Sequence, residues 1–337
     1  MARWKLRRWA AAILPLSWAF LGFKVVPLEG KGMGVIAEKT FQPGDLVYEE
    51  APLLVWNSEE AAQAQLKNVA LAASLGVAAL LLAVSGAYVW ALLPLAGAGL
   101  LRWRQGELQV PEELQEQWQQ LSPEQRSKLR DLSDCTAGDK TIMGILQTNG
   151  FSRGASESSD GLLVCPTLAR LNHSCSPNCQ QSWDEQSGTE KLYAMSEIPA
   201  GQEMCISYCD LRAPREARRQ VLQAKYGFLC TCPACEDAAG ADPAGADASA
   251  ASDARRIEIR RLMEQGGKHS AEEVLRLMDE EGLADLTLRG LACLDAAAEL
   301  RRADPAAAAR WARKAYVCFS RSRGPDSDLA RGAKDAS

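Results

Sequence analysis

The chain has 337 residues, of which 47% are hydrophobic and 24% charged. That is an ordinary globular balance, which excludes wholesale disorder and collagen-like repeats and suits about two folded units of ~150 residues. Its 38 basic and 43 acidic residues leave a net charge of −5, so there is no overall positive field to hold a phosphate backbone and no direct nucleic-acid binding is expected.

Residues 1–23 place Arg3, Lys5, Arg7 and Arg8 before the apolar run Trp9 to Phe23, the charge-then-apolar order of a targeting segment or anchor. Residues 24–56 carry short apolar and β-branched runs broken by Pro43-Gly44, which reads as strand, turn, strand. Within them Gly30-Lys31-Gly32-Met33-Gly34 forms a glycine-rich turn that lets backbone approach a ligand. No helix follows it, as a phosphate-binding loop would require.

Residues 57–135 read as an insert. Between Lys67 and Arg102 there is no charged residue, and the apolar run 68–101 exceeds the ~20 residues of a membrane span. Membrane contact through a transmembrane or membrane-dipping helix is therefore expected, the alternative being a helix packed on a core. Helices follow over 111–133, the second opened by Ser122 as N-cap, Pro123 at the first helical position and Gln125 three residues on.

Residues 136–210 return to short strands and loops, with a turn at Pro199-Ala200-Gly201. Residues 211–236 end in Cys230-Thr-Cys232-Pro-Ala-Cys235. Residues 237–254 are mainly Ala, Gly, Asp and Ser and read as a flexible linker. Helical patterns then fill 255–324: Arg255 to Glu264, Ala271 to Glu281 with Ser270 and Glu273 as capping box, Asp285 to Arg302, and Pro305 to Ser322 with Asp304 as N-cap. Residues 325–337 form a tail.

Eleven cysteines, none before Cys135, suggest metal binding in a reducing compartment better than a disulfide framework. The triplet Cys230, Cys232, Cys235 is too tight for disulfides but suits one zinc, which takes four sulfur or nitrogen ligands. The fourth is open among Cys175, Cys179, Cys205, Cys209 and His173. The other informative span is Leu171 to Cys179, LNHSCSPNC, followed by Ile206-Ser207-Tyr208.

In this order the motifs resemble those of the SET-domain lysine methyltransferases, in particular the branch of SET and MYND proteins and its relatives without the MYND finger. Gly32-Met33-Gly34 matches the family's first glycine motif, Asn172-His173-Ser174-Cys175 with Pro177-Asn178 its Asn-His-Ser-Cys motif, and Cys230, Cys232 and Cys235 its post-SET triplet. The resemblance covers roughly residues 24–56 and 136–236.

It implies an α+β fold: a β-rich SET domain of the β-clip type, split by a helical and apolar insert, with a post-SET zinc loop over 211–236 and a C-terminal helical region. It implies S-adenosylmethionine held by Lys31, Gly32, Met33, Gly34, Asn149, Asn172, His173 and Phe228. A channel of Phe151, Tyr208 and Tyr226 would receive a protein lysine, with Tyr208 catalytic. By the same resemblance Cys175 is the fourth zinc ligand.

Asn57 to Arg104 contains no cysteine, so no MYND finger is expected there. A single membrane span in the insert would separate the two halves of one SET fold, so a membrane-dipping insert with the catalytic unit in the cytosol or nucleus is the preferred arrangement. The rival function is a catalytically inactive SET scaffold, stabilised by zinc, that binds other proteins.

Overall fold

The computed structural model describes residues 21–57, 110–136, 138–153, 161–236 and 243–337. In chain order they form β1 (Phe23–Leu28), β2 (Gly32–Ala37), β3 (Leu46–Glu50) and β4 (Leu54–Asn57), then α1 (Glu112–Gln120), α2 (Pro123–Arg130) and α3 (Ile142–Asn149). Next come β5 (Phe151–Ser152), β6 (Gly161–Val164), β7 (Asn172–His173), β8 (Cys179–Asp184), β9 (Thr189–Ala194) and β10 (Glu203–Ile206). The chain ends in helices: α4 (Arg215–Tyr226), α5 (Pro243–Gln265), α6 (Gly267–Glu280), α7 (Leu286–Leu300), α8 (Pro305–Arg323) and α9 (Asp328–Asp335). These elements fall into two units, one within Met1–Ala51 and Arg170–Ser337, the other within Pro52–Ala169.

The first unit holds two sheets. β1 and β2 make a hairpin from Phe23↔Ala37 to Leu28↔Gly32, closed by the Lys31 N–H on the Leu28 carbonyl at 3.2 Å. β10 lies between β2, with which it is antiparallel, and β7, with which it is parallel, giving the order β1-β2-β10-β7. The second sheet has the order β3-β9-β8. Its β8–β9 hairpin runs in register from Cys179↔Ala194 to Asp184↔Thr189.

The helices of this unit bury one face each. On α8, Trp311, Ala315 and Phe319 recur at four-residue spacing and are buried, the stripe an amphipathic helix turns to a core. Full burial of a side chain such as Phe319 is worth ~1.5–3 kcal/mol. Asp304 and Asp285 cap α8 and α7 by accepting from Ala307 N–H and Leu288 N–H.

Three details differ from the sequence reading. Helix α5 starts at Pro243, so residues 243–254 are helix rather than linker. Alanine is the best helix former, and proline fits the first helical position at no cost. Tertiary contacts complete it: the Asp253 carboxylate accepts the Arg215 N–H at 2.6 Å, and the Ser252 hydroxyl donates to Glu281.

Helix α6 begins at Gly267, with no side-chain cap, and Ser270 is buried within it. The Ser270–Glu273 capping box does not form, because the face Ala271, Val274, Leu277 and Met278 is drawn into the core and burial outweighs a local cap. The tail, too, carries a helix, α9, which Ser327 caps and Ala330 and Ala333 anchor.

The membrane and transmembrane-helix expectation is overturned: among the described residues, no helix is long and apolar enough to cross a membrane. The long helices are interrupted by charge, with Arg255, Arg256, Glu258, Arg260 and Arg261 on α5 and Arg310, Arg313 and Lys314 on α8. Each such residue costs ~2.5–3.5 kcal/mol at a bilayer centre. The apolar run 68–101 and the segment 1–20 lie outside the described residues, as does the stretch where a MYND finger would fall.

The second unit packs the sheet β4-β6-β5 with α1, α2 and α3 over a core of Leu54, Leu114, Leu129, Leu132, Ile145, Leu146 and Val164. The α2 capping box forms as its sequence implies: Gln125 N–H reaches Ser122 Oγ at 3.2 Å, and Ser122 N–H reaches Gln125 Oε1 at 2.8 Å.

Candidate active site and metal centre

The metal centre begins with spacing. Cys230, Cys232 and Cys235 lie on one tight loop, turned by the Cys235 N–H on the Cys232 carbonyl at 2.7 Å. Cys175 follows β7, and its sulfur and the three loop sulfurs all lie within 4.8 Å of one another. The Cys175 N–H donates to Cys232 Sγ at 3.3 Å, and Cys175 and Cys235 sulfurs are 3.4 Å apart. Four converging thiols are the donor set of a closed structural zinc site.

Of the alternatives for a fourth ligand, Cys179 and Cys205 are absent from this group. They are buried on β8 and β10, where burial pushes the Cys205 thiol up to about 12, as befits small apolar side chains. His173, Cys175 and Cys209 form a second, overlapping group. Hydrogen bonding with Cys175, aided by His173, pulls the Cys209 thiol down to about 5. Cys235 falls to about 6, first through its contact with Cys175.

The cofactor-side residues are assembled by pairing of strands. With β10 between β2 and β7, Asn172 sits beside the glycine turn, and its Nδ2 donates to the Met33 carbonyl at 3.2 Å and to Glu203 Oε1 at 2.9 Å. Lys31 Nζ reaches Glu203 Oε2 at 2.6 Å, a hydrogen bond that raises the Lys31 pKa. Gly34 is required here, because a Cβ on it would lie 2.8 Å from Asn172 Nδ2 and overlap the Leu28 side chain.

His173 connects this cluster to the aromatic one. Its Nδ1 accepts the Tyr208 backbone N–H at 3.0 Å; the proton therefore sits on Nε2, which faces Cys175 Sγ at 3.2 Å. The Tyr208 hydroxyl donates to the Leu171 carbonyl. The Tyr208 and Tyr226 rings are 4.8 Å apart, centroid to centroid, and Phe228 lies 6.4 Å from Tyr226 and 6.3 Å from His173. Tyr226 ends α4, and Gly227, left-handed at φ 74°, swings the chain toward Phe228.

The structure thus brings together Lys31, Gly32, Met33, Gly34, Asn172, His173, Tyr208, Tyr226, Phe228 and the four cysteines within one unit. Asn149 and Phe151 belong to the other unit. There Asn149 Nδ2 donates to the Ser133 and Ile145 carbonyls, at 2.7 Å each, and Phe151 is buried in β5 opposite Leu163.

Two residues, Glu203 and Arg218, escaped the sequence reading, and a third, Asn178, entered it only as part of the family motif. Glu203 joins Lys31 to Asn172. Asn178 braces β10, donating to the Glu203 carbonyl at 2.9 Å and accepting the Cys205 N–H at 2.8 Å. Arg218 reaches the sulfurs from α4. Only Asn178 had a signal, its place within LNHSCSPNC.

The model of the SET domain family matches residues 32–209, more than half of the chain. The chain belongs to the SET domain family. Its fold is the expected α+β arrangement, with a C-terminal helical region after the SET strands.

This SET-domain chain is 40% identical over 83 residues to SET domain and MYND-type zinc finger protein 6 of Schizosaccharomyces pombe, an overlap of 25% of this chain and 17% of that protein. It is 22% identical over 216 residues to histone-lysine N-methyltransferase set5 of the same yeast, covering 63% of this chain and 50% of the relative. It therefore spans half or less of the length of these curated relatives. The SET domain of LSMT, solved with lysine and AdoHcy, aligns over 94% of this chain and 87% of its own at 13% identity and a TM-score of 0.32. The fold assignment rests on the family match.

Proposed function

We propose that this chain is an S-adenosylmethionine-dependent protein-lysine N-methyltransferase, acting on a histone or non-histone lysine in the cytosol or nucleus. The observation that carries this reading is the Tyr208 N–H on His173 Nδ1. It ties the strand that presents Asn172 beside the glycine turn to the aromatic group that would receive a substrate. Relatives named as lysine methyltransferases support it, and the eleven free cysteines suit a reducing compartment.

When bound, S-adenosylmethionine supplies a methyl group on a positively charged sulfur. Lys31 to Gly34, Asn172, His173 and Phe228 would hold it. Tyr208 and Tyr226, whose rings are 4.8 Å apart, would line the lysine channel. Tyrosine faces attract ammonium and methylammonium groups, and a narrow aromatic channel excludes water and aligns the amine for attack.

The methyl acceptor must be the neutral amine. The Tyr208 hydroxyl donates a hydrogen bond to the Leu171 carbonyl, and its oxygen lone pairs would accept a hydrogen bond from that amine and orient it. Cys175, Cys230, Cys232 and Cys235 would hold one zinc and so fix the loop that carries Phe228.

Calorimetric titration of S-adenosylmethionine into zinc-loaded protein tests the reading. One equivalent is expected to bind, and Asn172→Ala to weaken binding at least ~10-fold, the effect of losing a hydrogen bond that serves a charged ligand. Tyr208→Phe should retain binding and lower turnover at least ~10-fold on a methylatable peptide. Folded, zinc-loaded protein that binds no cofactor would instead support the protein-binding scaffold.

A further inference from the structure

A buried cation needs an anion, and Arg218 has an unusual one. It lies on α4 with 1% of its surface exposed. Its Nε points at Cys175 Sγ at 3.2 Å and one terminal nitrogen at Cys235 Sγ at 3.4 Å. The remaining donors go to the carbonyls of Ala213 at 2.5 Å and Ala234 at 3.2 Å. Among the described residues no carboxylate is hydrogen-bonded to it.

Arg256 is equally buried, but Glu281 neutralises it at 2.8 Å. Leaving a guanidinium in a protein interior without a counter-charge costs several kcal/mol. Among the described residues, the only negative charge within hydrogen-bond reach of Arg218 is that of the thiolates. Zinc held by four thiolates is in turn a dianion, and burying it is costly unless a cation stands beside it.

We propose that Arg218 is the charge-compensating and positioning residue of the metal centre, donating to two of its four sulfurs and tying α4, which ends at Tyr226, to the state of the metal. The inference rests on the reading of the four cysteines as a zinc site. Arginine suits the task because its planar fork reaches two acceptors at once and keeps its charge, which lysine cannot match geometrically. Hydrogen bonds from outside the ligand set orient ligands and tune the metal, and their loss lowers metal affinity ~10–100-fold. Drawing charge off the sulfurs also makes them poorer targets for oxidants.

Arg219 provides an internal comparison. It holds the same loop through the carbonyls of Cys230 at 3.3 Å and Cys235 at 2.5 Å, contacts that brace backbone.

The test uses the full chain as wild type, Arg218→Gln, Arg218→Lys and Arg219→Gln. Metal content is measured first, with one zinc per chain expected in the wild type. Zinc release to a chromogenic chelator under hydrogen peroxide should be at least ~10-fold faster in Arg218→Gln, and intermediate in Arg218→Lys. In cobalt-substituted protein, the sulfur-to-cobalt charge-transfer band should move to longer wavelength in both Arg218 variants and stay in place in Arg219→Gln. A loss of packing alone would not move that band.

If Arg218→Gln does not fold, Arg218→Lys decides, since it keeps the charge and loses at least one sulfur contact. An unmoved band with unchanged release overturns the role of Arg218 while leaving the zinc site intact. Wild-type protein that holds neither zinc nor cobalt overturns the metal site itself, and this inference with it.

Discussion

The metal loop and the strand cluster lie in the same unit yet are held by opposite means. Around Asn172 the backbone is paired on both sides, β10 with β2 and with β7, and Glu203, Lys31 and Asn178 lock the side chains across it. Cys230 to Cys235 lie in no strand or helix. Four sulfurs, Arg218 and Arg219 are what converge there. One half of the site is held by backbone pairing; the other is held by the convergence of side chains.

The largest expected break in this comparison is loss of the metal. Cys232→Ala, or exhaustive chelation, should empty the site and lower the thermal midpoint by ~10 °C, taking ~2–4 °C per kcal/mol for a unit of this size. Calorimetry and metal analysis check it, and an unchanged midpoint would make the loop independent of the ion. Cofactor-side geometry should persist in the stripped protein, because its ladder does not depend on sulfur.

Gly34→Ala strikes the other half. The added methyl meets Asn172 and Leu28, and overpacking of this kind costs ~1–3 kcal/mol. Urea unfolding should show that loss together with weakened cofactor binding, while metal content stays at that of the wild type.

Glu190 provides a control away from both regions. It is 1% exposed, its Oε2 has no hydrogen-bond partner among the described residues, and burial, only partly offset by Arg323, pushes its carboxyl up to about 8. The fold therefore favours the neutral acid. That contribution is fully present below the ordinary carboxylate pKa near ~4.3 and is lost as pH rises toward 8, at up to ~1.4 kcal/mol per unit. Glu190→Gln removes this slope, so the variant should gain on the wild type from pH 5 to pH 8 in urea midpoints; parallel profiles would refute it. Neither metal nor cofactor affinity should change.

The smallest effect is Glu203→Gln, which keeps an acceptor for Asn172 but uncouples Lys31. Partly exposed pairs are worth ~0.2–1 kcal/mol, so cofactor affinity should fall no more than ~5-fold and the salt dependence of binding should flatten. A far larger loss would make Glu203 part of the binding surface itself.

What was legible in the sequence follows the same division. The triplet Cys230, Cys232, Cys235 announces itself, because metal ligation by one loop is a matter of spacing along the chain. Cys175 could not be chosen by spacing, since it joins the triplet from 55 residues or more away, and only the family resemblance singled it out. Glu203 and Arg218 gave no local sign, for their partners are set by strand order and by the docking of α4.

Composition misled at 243–254, where small residues suggested a linker although alanine favours helix. At Ser270 a sound capping signature lost to burial of the face beside it. The α2 and α8 caps were readable because each is a local bond, Ser122 with Gln125 and Asp304 with Ala307.

Arg256 has a last consequence. From α5 it donates to the Leu211 carbonyl at 2.5 Å and the Cys175 carbonyl at 3.5 Å while paired with Glu281. Cutting the chain after the post-SET loop would strip the peptide oxygen of Cys175, the first of the four clustered cysteines, of its donor. The C-terminal helices are thus not an appendage that can be exchanged at will between relatives: a graft would have to bring its own guanidinium to the same two carbonyls.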